Sequence, residues 1–241
     1  MAFDLTAEWR KLATDMVLLE GFHAVKHAIR FGAELGMLIS TDRTELLALA
    51  GSHAPDLVER FAAGALEVSR DTFDRLVGRN HHTGTAALAR RPDDPLPARR
   101  DSPAVLLDQP RSLGNLGAVI RVAAGMGAAA VLTTGEADPW HPTAIRGSAG
   151  LHYALPVHRL ANPARLTGPI LCLDAEGEDI RAVPIPDHAV LAFGSERHGL
   201  STPVRDRADR LLALPMRPGV SSYNLATSVG MALYHWAAGR A

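Results

Sequence analysis

Four prolines fall within Arg90–Pro103, RRPDDPLPARRDSP, and they decide how the rest of the chain can be divided. A proline has no amide proton and a fixed φ, so this run is excluded from a helix interior and from a central strand. We read it as a linker region. It leaves a first part at residues 1–98, a join at 99–103 and a second part at 104–241. A chain of 241 residues is long enough for two modest domains.

The second part alternates short apolar runs with helical patterns, which predicts an α/β domain with a parallel sheet covered on both faces. Strands are expected at residues 104–107, 129–132, 170–173, 190–193 and 211–214, and helices at 116–126, 142–148, 203–208 and 225–238. The first part reads as a small α/β domain. Asp4 or Thr6 is placed to cap a helix carrying Trp9, Leu12 and Met16. Strands at 17–21 and 37–39 alternate with helices at 23–31, 45–50 and 57–61. A last helix is expected after Ser69, with Phe73, Leu76 and Val77 facing inward.

Composition excludes several classes of protein. Apolar residues make up 47% and charged residues 21%, as in ordinary folded domains. No apolar run reaches the ~18 residues of a membrane span. The opening Met1-Ala2-Phe3-Asp4 has no basic region before an apolar stretch, so no secretory signal is expected. Cys172 is the only cysteine, which excludes an internal disulfide and fits a cytoplasmic location. A net charge of −1 argues against a surface that grips nucleic acid all round. Arginines do cluster at Arg90-Arg91, Arg99-Arg100 and Arg205, Arg207 and Arg210, and the ordinary reading of each cluster is a solvated surface. The pair His81-His82 has no third ligand nearby, so no metal site is expected.

Three polar motifs stand out in the second part. The first, SLGNLGAVIRVAAGMG at residues 112–127, puts Asn115 and Gly117 at a strand-to-helix turn, where open α/β sheets bind ligands. Arg121 follows about one and a half turns later. This motif lacks the three-glycine spacing of dinucleotide-binding folds, and a plain helix start would also explain it. The second, LAFGSERHGLS at 191–201, sets Glu196 between Gly194 and Gly199 in a tight loop, although glycine turns after strands are common. The third runs from Ala213 to Trp236, ALPMRPGVSSYNLATSVGMALYHW. Ser221, Ser222 and Asn224 precede an apolar helix there, and a conventional N-cap accounts for one of them, not for the run.

Taken together and in this order, the motifs resemble the SpoU/TrmH branch of the SPOUT methyltransferases over residues 104–241. The family's N-x-G-x-x-x-R is matched by Asn115, Gly117 and Arg121, and its G-x-E-x-x-G-L by Gly194, Glu196, Gly199 and Leu200. Its third motif is matched by Pro215, Met216, Ser221, Ser222 and Asn224, with Tyr223 where a leucine is usual and Gly230 near the usual alanine. Arg146, Ser148 and Gly150 correspond to an intermediate K-x-x-R-x-S-x-G-like stretch. Residues 17–89, beginning Glu20-Gly21 with Val25, resemble the family's N-terminal substrate-binding domain.

The resemblance implies a C-terminal parallel-sheet domain with a trefoil knot, in which the chain from about Leu191 to Ala241 threads a loop. It also implies a homodimer with shared active sites. The implied activity is S-adenosylmethionine-dependent methylation of an RNA ribose 2′-hydroxyl. Ribosomal RNA is the first choice of substrate and transfer RNA the second. Asn115, Arg121, Glu196, Ser222 and Asn224 would form the catalytic site, with Glu196 or Asn115 holding Arg121. Gly194, Leu214, Met216 and Tyr223 would contact the cofactor, and neither metal nor membrane is implied. Two rivals stand beside this reading. A dehydrogenase shares the α/β alternation but needs the glycine fingerprint that is missing. A non-catalytic RNA-binding protein needs no cofactor and leaves the three polar motifs unexplained.

Overall fold

The computed structural model describes residues 4–79, 81–93, 95–96, 99–163 and 166–240. Met1 to Phe3, parts of the proline-rich stretch and Ala241 lie outside the described residues. Tertiary contacts divide the chain into Met1–Asp93 with Ala149–Ala154, and Asp94–Ser148 with Leu155–Ala241. The boundary therefore falls earlier than the prolines suggest, and residues 99–103 belong to the second unit. Arg100 explains why. It is buried, and its Nη2 donates to the carbonyls of Thr167 and His188, both at 2.7 Å.

In the first unit, α1 (Leu5–Leu12) starts at Asp4, whose carboxylate accepts the Ala7 amide at 3.1 Å. The chain continues through β1 (Val17–Glu20), α2 (Phe22–Arg30), β2 (Leu35–Ser40), α3 (Arg43–His53) and α4 (Val58–Gly64). It ends with β3 (Ala65–Glu67), α5 (Arg70–Val77) and β4 (Thr85–Ala89). Ser69 caps α5, as its sequence position predicts. The sheet order is β1-β4-β2-β3, with β4 antiparallel to both neighbours. Every residue of β4 is buried, yet the strand was not legible in Thr85-Ala86-Ala87-Leu88-Ala89. Alanine favours helix, and here tertiary packing overrides that preference. One face buries Trp9, Met37, Ile39, Phe73, Val77 and Leu88. Residues 149–154 join this unit through Gly150, at φ +76°. A Cβ there would meet the Ala24 carbonyl oxygen at 2.4 Å, so only glycine fits.

The second unit contains β5 (Ala104–Leu107), α6 (Leu113–Gly125), β6 (Ala130–Thr133), α7 (Pro142–Ser148) and β7 (Val157–Arg159). These are followed by β8 (Ile170–Asp179), β9 (Val190–Phe193), α8 (Thr202–Arg205), β10 (Arg210–Ala213) and α9 (Leu225–Ala238). Its six strands are all parallel in the order β10-β8-β9-β5-β6-β7. The core is aliphatic, built from Leu106, Leu132, Ile170, Cys172, Val190 and their neighbours. Three expectations change. α6 starts at Leu113, so Asn115 and Gly117 lie inside a helix and Arg121 sits more than two turns along it. β8 runs on to Asp179, and β7 is an added strand. Gly117 is required by helix packing rather than by a turn, because a Cβ there would meet the Ala144 carbonyl oxygen of α7 at 2.3 Å.

The arginine clusters are not simply solvated. Arg205 pairs with Asp174 at 2.7 Å and Glu176 at 3.2 Å, and Arg210 with Glu178 at 3.4 Å. Arg207 donates to the carbonyls of Pro163 and Leu166. The His81 and His82 rings stack on each other, and no group of three or more metal-ligating side chains occurs among the described residues. No helix among them is long and apolar enough to cross a membrane.

Candidate active site

β5 has β6 on one side and β9 on the other, so the segments leaving β5 and β9 diverge and open a crevice at the carboxyl ends of the strands. From β5 the chain passes Asp108 and enters α6, whose N-cap Ser112 accepts the Asn115 amide at 3.2 Å. From β9 it enters a tight loop in which Ser195 and Gly199 exchange backbone hydrogen bonds at 2.9 and 3.1 Å. Gly194 is obligatory there, since a Cβ would meet the Gly199 carbonyl carbon at 2.1 Å. The loop projects Glu196 toward the start of α6. The third segment follows β10 and reaches α9 through Asn224, whose Oδ1 accepts the amides of Ala226 and Thr227 at 2.9 and 3.4 Å.

These segments meet in one chain of hydrogen bonds. The Asn224 Nδ2 donates to Asn115 Oδ1 at 3.1 Å, and the Asn115 Nδ2 donates to Glu196 Oε1 at 2.9 Å. The direction is forced. Helix amides occupy the Asn224 oxygen, so its nitrogen faces Asn115, and Asn115 must turn its own nitrogen to the carboxylate. Partial burial pushes the Glu196 carboxyl up. Hydrogen bonds from Asn115 and from the backbone amides of Glu196, Arg111 and Ser112 outweigh that and hold it below the ordinary glutamate range. Glu196 is therefore an ionised acceptor at neutral pH, seated where the N-terminal field of α6 favours negative charge.

A cavity of about 570 Å³ opens beside this network. Of the residues named from the sequence, Asn115, Gly194, Glu196, Leu214, Met216, Ser222, Tyr223 and Asn224 all line it. The Tyr223 hydroxyl donates to the Pro215 carbonyl at 2.9 Å and so ties the two ends of the β10–α9 loop. Arg121 is the exception. It is exposed on α6, outside the cavity, and it has no partner among the described residues, so neither Glu196 nor Asn115 holds it within one chain. Glu196 is held by Asn115 instead.

Sequence reasoning missed Asp174, which lines the cavity from within β8 while pairing with Arg205. It also missed Asp108. This carboxylate is 1% exposed, accepts the Thr134 hydroxyl at 2.5 Å and the Ser201 amide at 2.6 Å, and so clamps the far end of the Glu196 loop. The available signal was a carboxylate directly after a fully apolar strand, a place where it must find partners.

The profile of the SpoU rRNA methylase family matches residues 102–234. The chain belongs to that family. It is 29% identical to a 23S rRNA (uridine(2479)-2′-O)-methyltransferase of Streptomyces viridochromogenes, over 82% of this chain and 68% of that protein. It is 31% identical to an uncharacterized tRNA/rRNA methyltransferase of Mycobacterium avium, over 91% of this chain and 76% of the relative. Among solved structures, the SpoU methyltransferase AviRb of Streptomyces viridochromogenes, in complex with the cofactor AdoMet, superposes with a TM-score of 0.78. That superposition covers 99% of this chain and 98% of AviRb at 22% identity, a likeness of fold. Within this SpoU methylase frame, the matched residues take in the first two motifs and all but the last two residues of the third.

Proposed function

We propose that this SpoU-family protein is an S-adenosylmethionine-dependent RNA 2′-O-ribose methyltransferase, with ribosomal RNA as its substrate. The observation that carries the reading is the Glu196–Asn115–Asn224 network at the mouth of a cavity built by all three motifs. The relatives named as 23S rRNA 2′-O-methyltransferases support it. The Mycobacterium avium relative, named for both tRNA and rRNA, makes transfer RNA the second substrate to assay.

The cavity suits the cofactor. Its volume lies within the range of small-molecule sites, and Phe193, Leu200, Leu212, Leu214 and Met216 offer an apolar slot for an adenine ring. Gly194, Leu214, Met216 and Tyr223 would hold the cofactor, which supplies an electrophilic methyl group when bound. A ribose hydroxyl is a poor nucleophile at neutral pH, so the protein's task is to orient it and assist loss of its proton. Ser222 and Asn224 would orient the hydroxyl. The guanidinium of Arg121 holds its proton too strongly to act as a base, and its role is to grip a neighbouring phosphate.

Because Arg121 lies outside its own chain's cavity, we assign it to the site of a second subunit in a cytoplasmic homodimer. The exposed side of α9, with Tyr234 69% exposed, is the face available for pairing. The family's trefoil knot and an RNA-binding role for the first unit belong to the same reading. The test is calorimetric titration with S-adenosylmethionine, followed by transfer assays. Cofactor binding that survives in Arg121→Ala while methyl transfer disappears is expected. Unchanged turnover in that variant contradicts the assignment, and a protein that binds RNA but neither the cofactor nor its demethylated product is a non-catalytic RNA binder.

A further inference from the structure

Most arginines of the second unit are engaged by the fold. Arg205, Arg210, Arg181 and Arg240 face carboxylates, while Arg100, Arg159 and Arg207 donate to backbone carbonyls. Arg111, Arg197 and Arg217 are different. All three are exposed, and none has a hydrogen-bonded or ionic side-chain partner among the described residues. Arg197 and Arg217 directly follow Glu196 and Met216 of the cavity wall, Arg111 is tied to that wall through its amide, which helps hold Glu196, and the three lie on different loops. Arg99 and Arg121 are also exposed and unpaired among the described residues but lie away from this crevice, whereas Arg111, Arg197 and Arg217 gather three such cations at its rim.

We propose that Arg111, Arg197 and Arg217 form a phosphate-gripping rim that takes the phosphodiester backbone of a single-stranded RNA segment on either side of the target ribose. This rests on the methyltransferase reading above. A guanidinium fork matches a phosphate bidentately, which a lysine does not, and the chain has arginine at all three positions. Exposed cations without an intramolecular partner cost nothing to release from the fold, so their charge is available to a polyanion. Their placement on three loops around a concave mouth fits a strand passing over the crevice with its target base unstacked. Such contacts position the strand and carry no base specificity.

The experiment uses the full-length protein and a labelled, unstructured single-stranded RNA oligonucleotide of mixed sequence, with affinity measured over a range of potassium chloride. Each of Arg111→Gln, Arg197→Gln and Arg217→Gln is expected to lower the slope of log affinity against log salt by ~0.7, and the triple variant by about 2. For each arginine removed, the affinity lost across a fourfold rise in salt then shrinks by about 2–3-fold. The loss should be the same for oligonucleotides of different sequence, and S-adenosylmethionine titration of the same preparations should be unchanged. A triple variant with the wild-type slope overturns the proposal, as does wild-type binding that ignores salt. So does a variant that keeps its RNA affinity but loses binding to phosphatidylserine vesicles, because the rim would then serve a membrane surface. Failure of the wild-type protein to bind the cofactor instead overturns the methyltransferase reading, whatever the salt slopes show.

Discussion

The parallel sheet has a cavity at each end, about 570 Å³ at the carboxyl ends of the strands and about 510 Å³ at the amino ends, and the two employ their polar groups in opposite ways. At the amino end, Arg100 is buried with its fork on two backbone carbonyls. Asp187 accepts the Trp236 indole at 2.9 Å and faces Arg240 at 3.6 Å. These groups hold the segments that feed β5, β8 and β9. At the carboxyl end, Asn115, Glu196 and Asn224 fix one another, and Ser221 and Ser222 are exposed along the same wall. Volume alone does not mark a site. Convergent polar groups, oriented by each other and still open to a ligand, do.

The largest effect that would sharpen this contrast is expected from Asn115→Ala, which breaks both links of the network. Methyl transfer should fall by about 10²–10⁴-fold, the range seen when a positioned polar group is removed, while the unfolding midpoint moves little. At the other end Arg100→Ala should do the reverse. It removes a charged donor from the Thr167 and His188 carbonyls, at a cost of ~1.5–3 kcal/mol and a fall of roughly 5 °C in Tm, with S-adenosylmethionine affinity unaltered. Loss of cofactor binding in Arg100→Ala would erase the distinction between the two ends.

A smaller effect concerns pH. The folded-state pKa of Glu196 is depressed, so its contribution to stability is present above the unfolded value and is lost as pH falls through the folded one. The gap in Tm between wild type and Glu196→Gln should therefore stay constant from neutral pH to the ordinary glutamate range and close only below it. A gap independent of pH throughout would mean that the carboxylate is not held by Asn115 and the amides leading into α6. The smallest effect is expected in the sheet between the two cavities. Burial first, then the nearby carboxylates Asp108 and Asp174, push the Cys172 thiol up to about 11. At neutral pH a thiol reagent should label it only as fast as the protein unfolds, and rapid labelling of the native protein would show that the core opens locally.

The second unit was far more legible in the sequence than the first. β5 and β9 were read at their observed bounds because Ala104-Val105-Leu106-Leu107 and Val190-Leu191-Ala192-Phe193 are buried apolar runs bounded by turns. β4 escaped because its alanines carry no strand preference, and only its place between β1 and β2 makes it one. In the site, eight of the nine residues named from the sequence line one cavity. What could not be read was the use of each. Gly117 answers to Ala144 on another helix, Asp108 to Thr134 and Ser201, and Arg100 to two carbonyls distant in sequence. Motif spacing specifies which residues recur together, whereas their partners are set by strand order, which the local pattern does not encode.

The central claim is that the carboxyl-end cavity and its network methylate an RNA ribose. The most direct test is incubation of the purified protein with tritiated S-adenosylmethionine and bacterial ribosomal RNA, followed by digestion to nucleosides and chromatography. Label is expected in a 2′-O-methylated nucleoside, with about 10²–10⁴-fold less when Asn115→Ala replaces the wild type. Label on a base, or equal transfer by both proteins, would contradict it.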